Sequence, residues 1–239
     1  LGIAGIFAFA LAGFVLLGWQ QRRAAAPLFP AALVGQGVFR TILAISFLNS
    51  AAMFAAIFLL PLLLQWLYHA TPAASGLDIV PFLATSTIGA FSAGQLIRHT
   101  GRAQPVMAAG VALAALGFLI LGLVPATGLL AVPLCVSALF GLGIGAVMPT
   151  SLVAAQSQSG RADLGAATGM LLLLRAMGGA FGATLAGALL ALAHGDLPYG
   201  FRLGFFACAG LQGMATLVAL RMQDIRLRSS FEPAAAQAD

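Results

Sequence analysis

Seven long apolar stretches dominate the chain, at about 1–19, 41–67, 78–97, 105–125, 128–149, 165–193 and 203–220. A helix needs about 20 apolar residues to cross a hydrocarbon layer roughly 30 Å thick, and each stretch meets or approaches that length. Backbone facing lipid finds no water to bond, so continuous runs of this kind read as α-helices. None shows the alternation, over about ten residues, of an outer-membrane strand. The expected fold class is an all-α polytopic membrane protein. Charge supports this, because only 7% of the residues are charged and 61% are hydrophobic, against about 25% charged in a soluble domain. A soluble enzyme is excluded. The net charge of +5 does not indicate nucleic acid, because every basic residue is an Arg and the arginines are scattered. Cys135 and Cys208 both lie inside apolar runs, so neither a disulfide framework nor a metal cluster is expected, and no cofactor.

The few charges set the topology. With alternating spans, Arg22, Arg23, Arg40, Arg98, Arg102, Arg161, Arg221, Arg226 and Arg228 share one side, Arg202 faces the other, and Arg175 lies within a span. Cationic loops stay in the cytoplasm. The carboxyl terminus is therefore expected there, in a multi-pass protein of the cell (inner) membrane. Trp66, Tyr68 and Tyr199 then fall near the outer interface, where aromatic belts sit. The chain begins with Leu1 directly inside an apolar run, without the basic flank or cleavage site of a signal peptide. It reads as the carboxyl-terminal part of a larger protein.

Span 1–19 stands apart as a linker transmembrane helix, followed by a cytoplasmic connection, 20–39, that contains Pro27 and Pro30. Six spans joined by short loops form one bundle over 40–221, and 222–239 is a cytoplasmic tail. Six helices match one half of a transporter built from two inverted three-helix repeats. Local motifs point the same way. After the third span the chain reads Gly94-Gln-Leu96-Ile-Arg98-His-Thr-Gly101-Arg102; the outer loop runs from Gln65 through Thr71-Pro72 to Gly76; later come Gly141-Leu-Gly143-Ile-Gly145 and Arg175-Ala-Met-Gly178-Gly179-Ala-Phe-Gly182. Together these resemble the carboxyl half of the major-facilitator transporters, specifically the fourteen-helix drug:proton antiporters of the EmrB/QacA type. The resemblance covers nearly the whole chain and would make 1–19 helix eight. It departs at three positions: Arg98 and His99 replace the Asp-Arg of the loop signature, and His69 replaces a Gly. The first change removes a carboxylate that pairs with Arg across the bundle in the family.

The candidate sites follow. On span 41–67, Ser46, Asn49, Ser50 and Met53 share a face at i, i+3, i+4 and i+7. The resemblance makes this span, with 128–149, a cavity helix. Asn49, Met53, Phe54 and Gln65 are then expected at a substrate cavity, with helix–helix hydrogen bonding as the other reading of Asn49 and Gln65. Gly94, Arg98, Gly101 and Arg102 form the cytoplasmic loop motif, a tight turn that latches one bundle against the other. Arg175, the base inside an apolar span, is either a structural or gating residue or a contact for substrate or proton. Gly141, Gly143 and Gly145 sit mid-span rather than at a strand-to-helix turn, so they read as helix packing and not a nucleotide fingerprint; Gly178 and Gly182 read the same way. Asp78 opens a span, as a helix start or a protonatable site. His69, His99 and His194 have no metal-ligand spacing.

The expected function is export of drugs or other amphipathic compounds by proton antiport with alternating access. The partners are a small-molecule substrate, protons, the lipid bilayer and the missing amino-terminal half. A permease for a small metabolite and a truncated, non-transporting fragment are the alternatives.

Overall fold

The computed structural model describes residues 31–69, 71, 76–77, 79–123, 131–193 and 195–222. Span 1–19, the first part of the connection, Asp78, His194 and the tail beyond residue 222 lie outside the described residues. Among the described residues the fold is all-α. Six long helices run α1 Gly37–Tyr68, α2 Val80–Thr100, α3 Gln104–Leu123, α4 Ala131–Ser157, α5 Leu164–Leu192 and α6 Leu197–Leu220. All six are long and apolar enough to cross a membrane. A single helical turn, Ala31–Val34, precedes α1 and buries Leu33 in the core.

Two helix ends depart from the hydrophobic pattern, each for a local reason. α4 continues through Pro149 to Ser157, where the apolar stretch alone ends at the proline. Within a bundle, neighbouring helices and hydroxyl side chains satisfy the carbonyls that a proline frees. Pro149 frees the Gly145 carbonyl, and in the following turn Thr150 Oγ1 donates to the Ala146 carbonyl at 2.6 Å and Ser151 Oγ to the Val147 carbonyl at 2.8 Å, adding side-chain bonds to the helix beside it. α6 starts at Leu197, ahead of the expected 203, because Asp196 caps it: its Oδ1 accepts the Tyr199 N–H at 3.1 Å. Pro198 stands in the first turn, where no backbone donor is lost.

The packing has an internal two-fold pattern. α1 lies against α5 and α6, α4 lies against α2 and α3, and α3 meets α6. Exchanging the first three helices with the last three reproduces every one of these contacts, as inverted three-helix repeats require. Sequence neighbours α2 and α3, joined by only three residues, scarcely touch.

Lipid tails are as apolar as leucine, so close backbone approach rather than water exclusion holds membrane helices together. Glycine supplies it in both repeats. A Cβ on Gly178 or Gly182 of α5 would run into the carbonyl oxygens of Phe47 and Ala51 on α1. In the other repeat, a Cβ on Gly141 of α4 would stand 2.7 Å from the Phe82 carbonyl of α2, and one on Gly145 would strike that of Ser86. The aromatic centre of the bundle is Phe140, with Phe118 stacked on it at 4.4 Å between ring centroids and Phe82 tilted at 5.4 Å.

Candidate functional site

The polar face expected on α1 divides in three dimensions. Asn49 is 2% exposed and turns towards α6, where Gln212 Nε2 donates to its Oδ1 at 3.0 Å. Gln212 is itself fully buried, and its carbonyl accepts from Thr216 Oγ1 at 2.8 Å. Asn49 thus bridges two helices inside the bundle and does not reach its open face. Gln212 escaped the sequence reading, although a lone carboxamide in an otherwise apolar span was a signal for it.

The open side of α1 is apolar. Phe54, Phe58 and Leu62 recur every four residues, and Phe54 is 43% exposed. Met53 and Gln65 are half-buried alongside. α5 continues this surface with Met177 and Phe181, both exposed. Two contacts join the helices here: the rings of Phe47 and Phe181 are 5.8 Å apart, and Phe54 lies over Gly179, where a Cβ would come within 2.8 Å of its ring. The structure therefore brings Phe47 together with Phe181 and Phe54 onto Gly179, residues that hydrophobicity alone does not distinguish from lipid-facing ones.

Arg175 is half-buried on α5, eleven positions after Leu164, or about 16 Å of helix from that end. Its side chain turns to α4, where Nη2 donates to the Met148 carbonyl at 2.5 Å and to Ser151 Oγ at 2.7 Å. Ser151 donates in turn to the Val147 carbonyl. The guanidinium therefore fastens α5 to α4 beside Pro149 and does not extend to the helix end. Among the described residues no carboxylate pairs with it.

The loop motif makes a tight turn. Gly101 ends α2 with φ at +66°, and its N–H donates to the Ile97 carbonyl at 2.8 Å. That left-handed conformation suits glycine, which has no Cβ to clash. Residues 101–103 alone connect α2 to α3. Arg98, His99 and Arg102 are exposed. Gly94 is exposed too, and a Cβ there would meet nothing within 4 Å. At the other end, His69 closes α1 with φ at +50°, the one non-glycine residue with positive φ among the described residues. No three His, Cys, Asp or Glu side chains gather to hold a metal among the described residues.

The profile of the Major Facilitator Superfamily matches residues 42–237. The chain belongs to the major facilitator superfamily. Among curated members it is 31% identical over 195 residues to the multidrug transporter protein MdtP of Bacillus subtilis, covering 82% of this chain and 36% of that protein. It is 32% identical over 191 residues to the MFS-type transporter Rv1877 of Mycobacterium tuberculosis, covering 79% of this chain and 28% of that one. A dehydrocurvularin exporter of Alternaria cinerariae is 28% identical over 180 residues, covering 75% of this chain and 30% of its own length. The matched region is thus about a third of these relatives. A superfamily of transporters, with six membrane-length helices here, is a class of multi-pass membrane proteins and not of enzymes.

Proposed function

We propose that this chain is the carboxyl-terminal bundle of a fourteen-helix exporter of drugs or other amphipathic compounds, working by proton antiport and alternating access. One observation carries the reading: α1 and α5, packed together where Phe54 lies over Gly179, expose Phe54, Phe58, Met177 and Phe181, aromatic and thioether side chains. Such side chains adapt to varied greasy ligands. Met53 flanks this face and Gln65 lies towards the end of α1. The printed names of the relatives, a multidrug transporter and a dehydrocurvularin exporter, favour the same class.

In this reading the opposing bundle, supplied by the missing amino-terminal half, closes the cavity. The exposed Gly94 admits its close approach, beside Arg98, Gly101 and Arg102 at the turn. The skewed arginines put that turn and the carboxyl terminus in the cytoplasm. Arg175 is a positioning residue that fixes α4 against α5. Asp163 and Asp196 precede α5 and α6, and the described parts of the six helices carry no carboxylate. The proton-coupling acid therefore belongs to the rest of the transporter, and protons and substrate share a pathway that this bundle only half encloses.

The test is efflux of a lipophilic cationic dye from cells making the full-length transporter, with and without an uncoupler. Efflux that stops with the uncoupler is expected, and Phe54→Ala and Met177→Ala should weaken it. Efflux indifferent to the proton gradient would refute antiport. Uptake of a small polar metabolite with no dye efflux would replace this reading with a permease.

A further inference from the structure

Five hydroxyl side chains are buried in the described helices: Ser46, Ser50, Ser137, Thr150 and Ser151. Three bond back to carbonyls of their own helix, Ser137 to Leu134 at 2.8 Å, Thr150 to Ala146 at 2.6 Å and Ser151 to Val147 at 2.8 Å. This is the usual resort of a hydroxyl in an apolar helix. Ser46 and Ser50 do not take it. Their Oγ atoms, with Oε1 of Gln212, are buried without any protein partner. All three residues neighbour Asn49, two along the chain and one by its hydrogen bond. Ser46 and Ser50 stand three positions before and one after Asn49 on α1, and Gln212 is the residue that holds Asn49. A bare polar oxygen in a bundle surrounded by hydrocarbon carries a full desolvation penalty, so clustered bare oxygens mark a place for a guest.

The chemistry of the guest follows from the oxygens. Gln212 Oε1 is an acceptor only, so the guest must donate to it or be a cation. The serine hydroxyls both donate and accept. Ser46 and Ser50 are 2% and 1% exposed, which leaves no route for a drug-sized molecule. A cation is disfavoured because the described parts of the six helices carry no carboxylate to balance a buried positive charge. A neutral, water-sized molecule that both donates and accepts meets every condition.

We propose that Ser46, Ser50 and Gln212 hold ordered water around the Asn49–Gln212 bridge, an internal hydration site of α1. Buried waters typically make about three hydrogen bonds to groups that are otherwise unpaired. Here they give α1 exchangeable partners beside the direct Asn49–Gln212 link to α6. α1 can then shift against its neighbours by passing bonds to water and need not leave an amide bare.

Thermal unfolding of the full-length transporter in detergent tests this with Ser50→Ala, Gln212→Leu and the double variant. Shared water predicts that Ser50→Ala lowers the melting temperature and that the two changes are non-additive, although no hydrogen bond joins the two side chains. Ser50→Ala that melts higher, or strictly additive shifts, would overturn the proposal, because removing a truly bare hydroxyl relieves a penalty. If Gln212→Leu is not produced, the Ser46→Ala and Ser50→Ala cycle is read by the same criteria. A density map of the whole transporter decides independently. Peaks within hydrogen-bonding distance of Ser50 Oγ and Gln212 Oε1, present without sodium, are expected. Hydroxyls turned back onto the Ile42 and Ser46 carbonyls with no such peak, or a peak that needs sodium, would overturn it.

Discussion

A carboxamide in the middle of an apolar helix can face a ligand or a neighbouring helix, and the two uses respond differently to mutation. Asn49 is paired with Gln212 across the α1–α6 contact. Asn49→Ala leaves a buried carboxamide on α6 without its partner, and the expected loss is about 1–2 kcal/mol of stability, read as a lower melting temperature of the full-length protein. Changing both residues to Leu should cost less than the sum of the single changes, because no polar group is then left over. Unchanged melting in Asn49→Ala would contradict the bridge. Arg175 allows a sharper comparison. Arg175→Met removes the clasp on Met148 and Ser151 and should slow dye efflux markedly. Arg175→Lys keeps the charge but cannot reproduce the planar donor geometry, and should recover only part of the rate. Full activity of the Met variant would exclude a positioning role. Neither pairing was legible in the sequence. Gln212 lies far along the chain from Asn49, and Arg175 donates to a backbone carbonyl and to the Ser151 hydroxyl 24 positions away, which no sequence spacing links to it. The departure at His69 was visible as a missing glycine, and its conformational cause, a left-handed helix end, emerges only from the backbone.

Among the elements, the glycines divide into two groups by what surrounds them. Gly182 is seated on the backbone of α1, whereas Gly94 faces open space. Gly182→Val should therefore separate α1 from α5 and destabilise the protein by roughly 1–3 kcal/mol or prevent its accumulation. Gly94→Ala should leave folding intact. If Gly94 meets the opposing bundle, that same variant should reduce efflux with no change in melting temperature; wild-type efflux would remove Gly94 from the interface. The six helices between 37 and 220 were legible because hydrocarbon forces every backbone amide into a helix, so apolar length alone counts the spans there; the expected span 1–19 lies outside the described residues. Helix ends were less legible, because Pro149 is a stop signal in water and an interior residue here, and because the Asp196 cap acts before the apolar run begins. Which helices touch was not legible at all, since apolar faces carry no address.

At the scale of the molecule, the helix pairs α1–α5, α2–α4, α1–α6 and α3–α6 join elements that are not neighbours in sequence, and exposed aromatic and thioether side chains stand on α1 and α5. In the proposed reading the cavity is closed only by the opposing bundle. The 239-residue chain reconstituted alone in vesicles is therefore expected to show no proton-driven dye efflux; robust, uncoupler-sensitive efflux would transfer the whole activity to these helices. The two-fold pattern, by contrast, is a property of the bundle and should survive in the isolated chain as a stable helical fold.

The link between Asn49 and Gln212 spans 163 positions of sequence, and that distance has a price in time. A ribosome working at about 5–20 residues per second reaches Gln212 roughly ten to thirty seconds after Asn49 has been made. α1 enters the membrane before α5 and α6 exist, with a carboxamide and two serines on a surface that lipid cannot satisfy. Until the last helix arrives, α1 must wait at the insertion site, borrow a temporary neighbour or keep its polar patch hydrated. Biogenesis of this protein is thus most exposed at its first bundle helix, and its completion depends on its last.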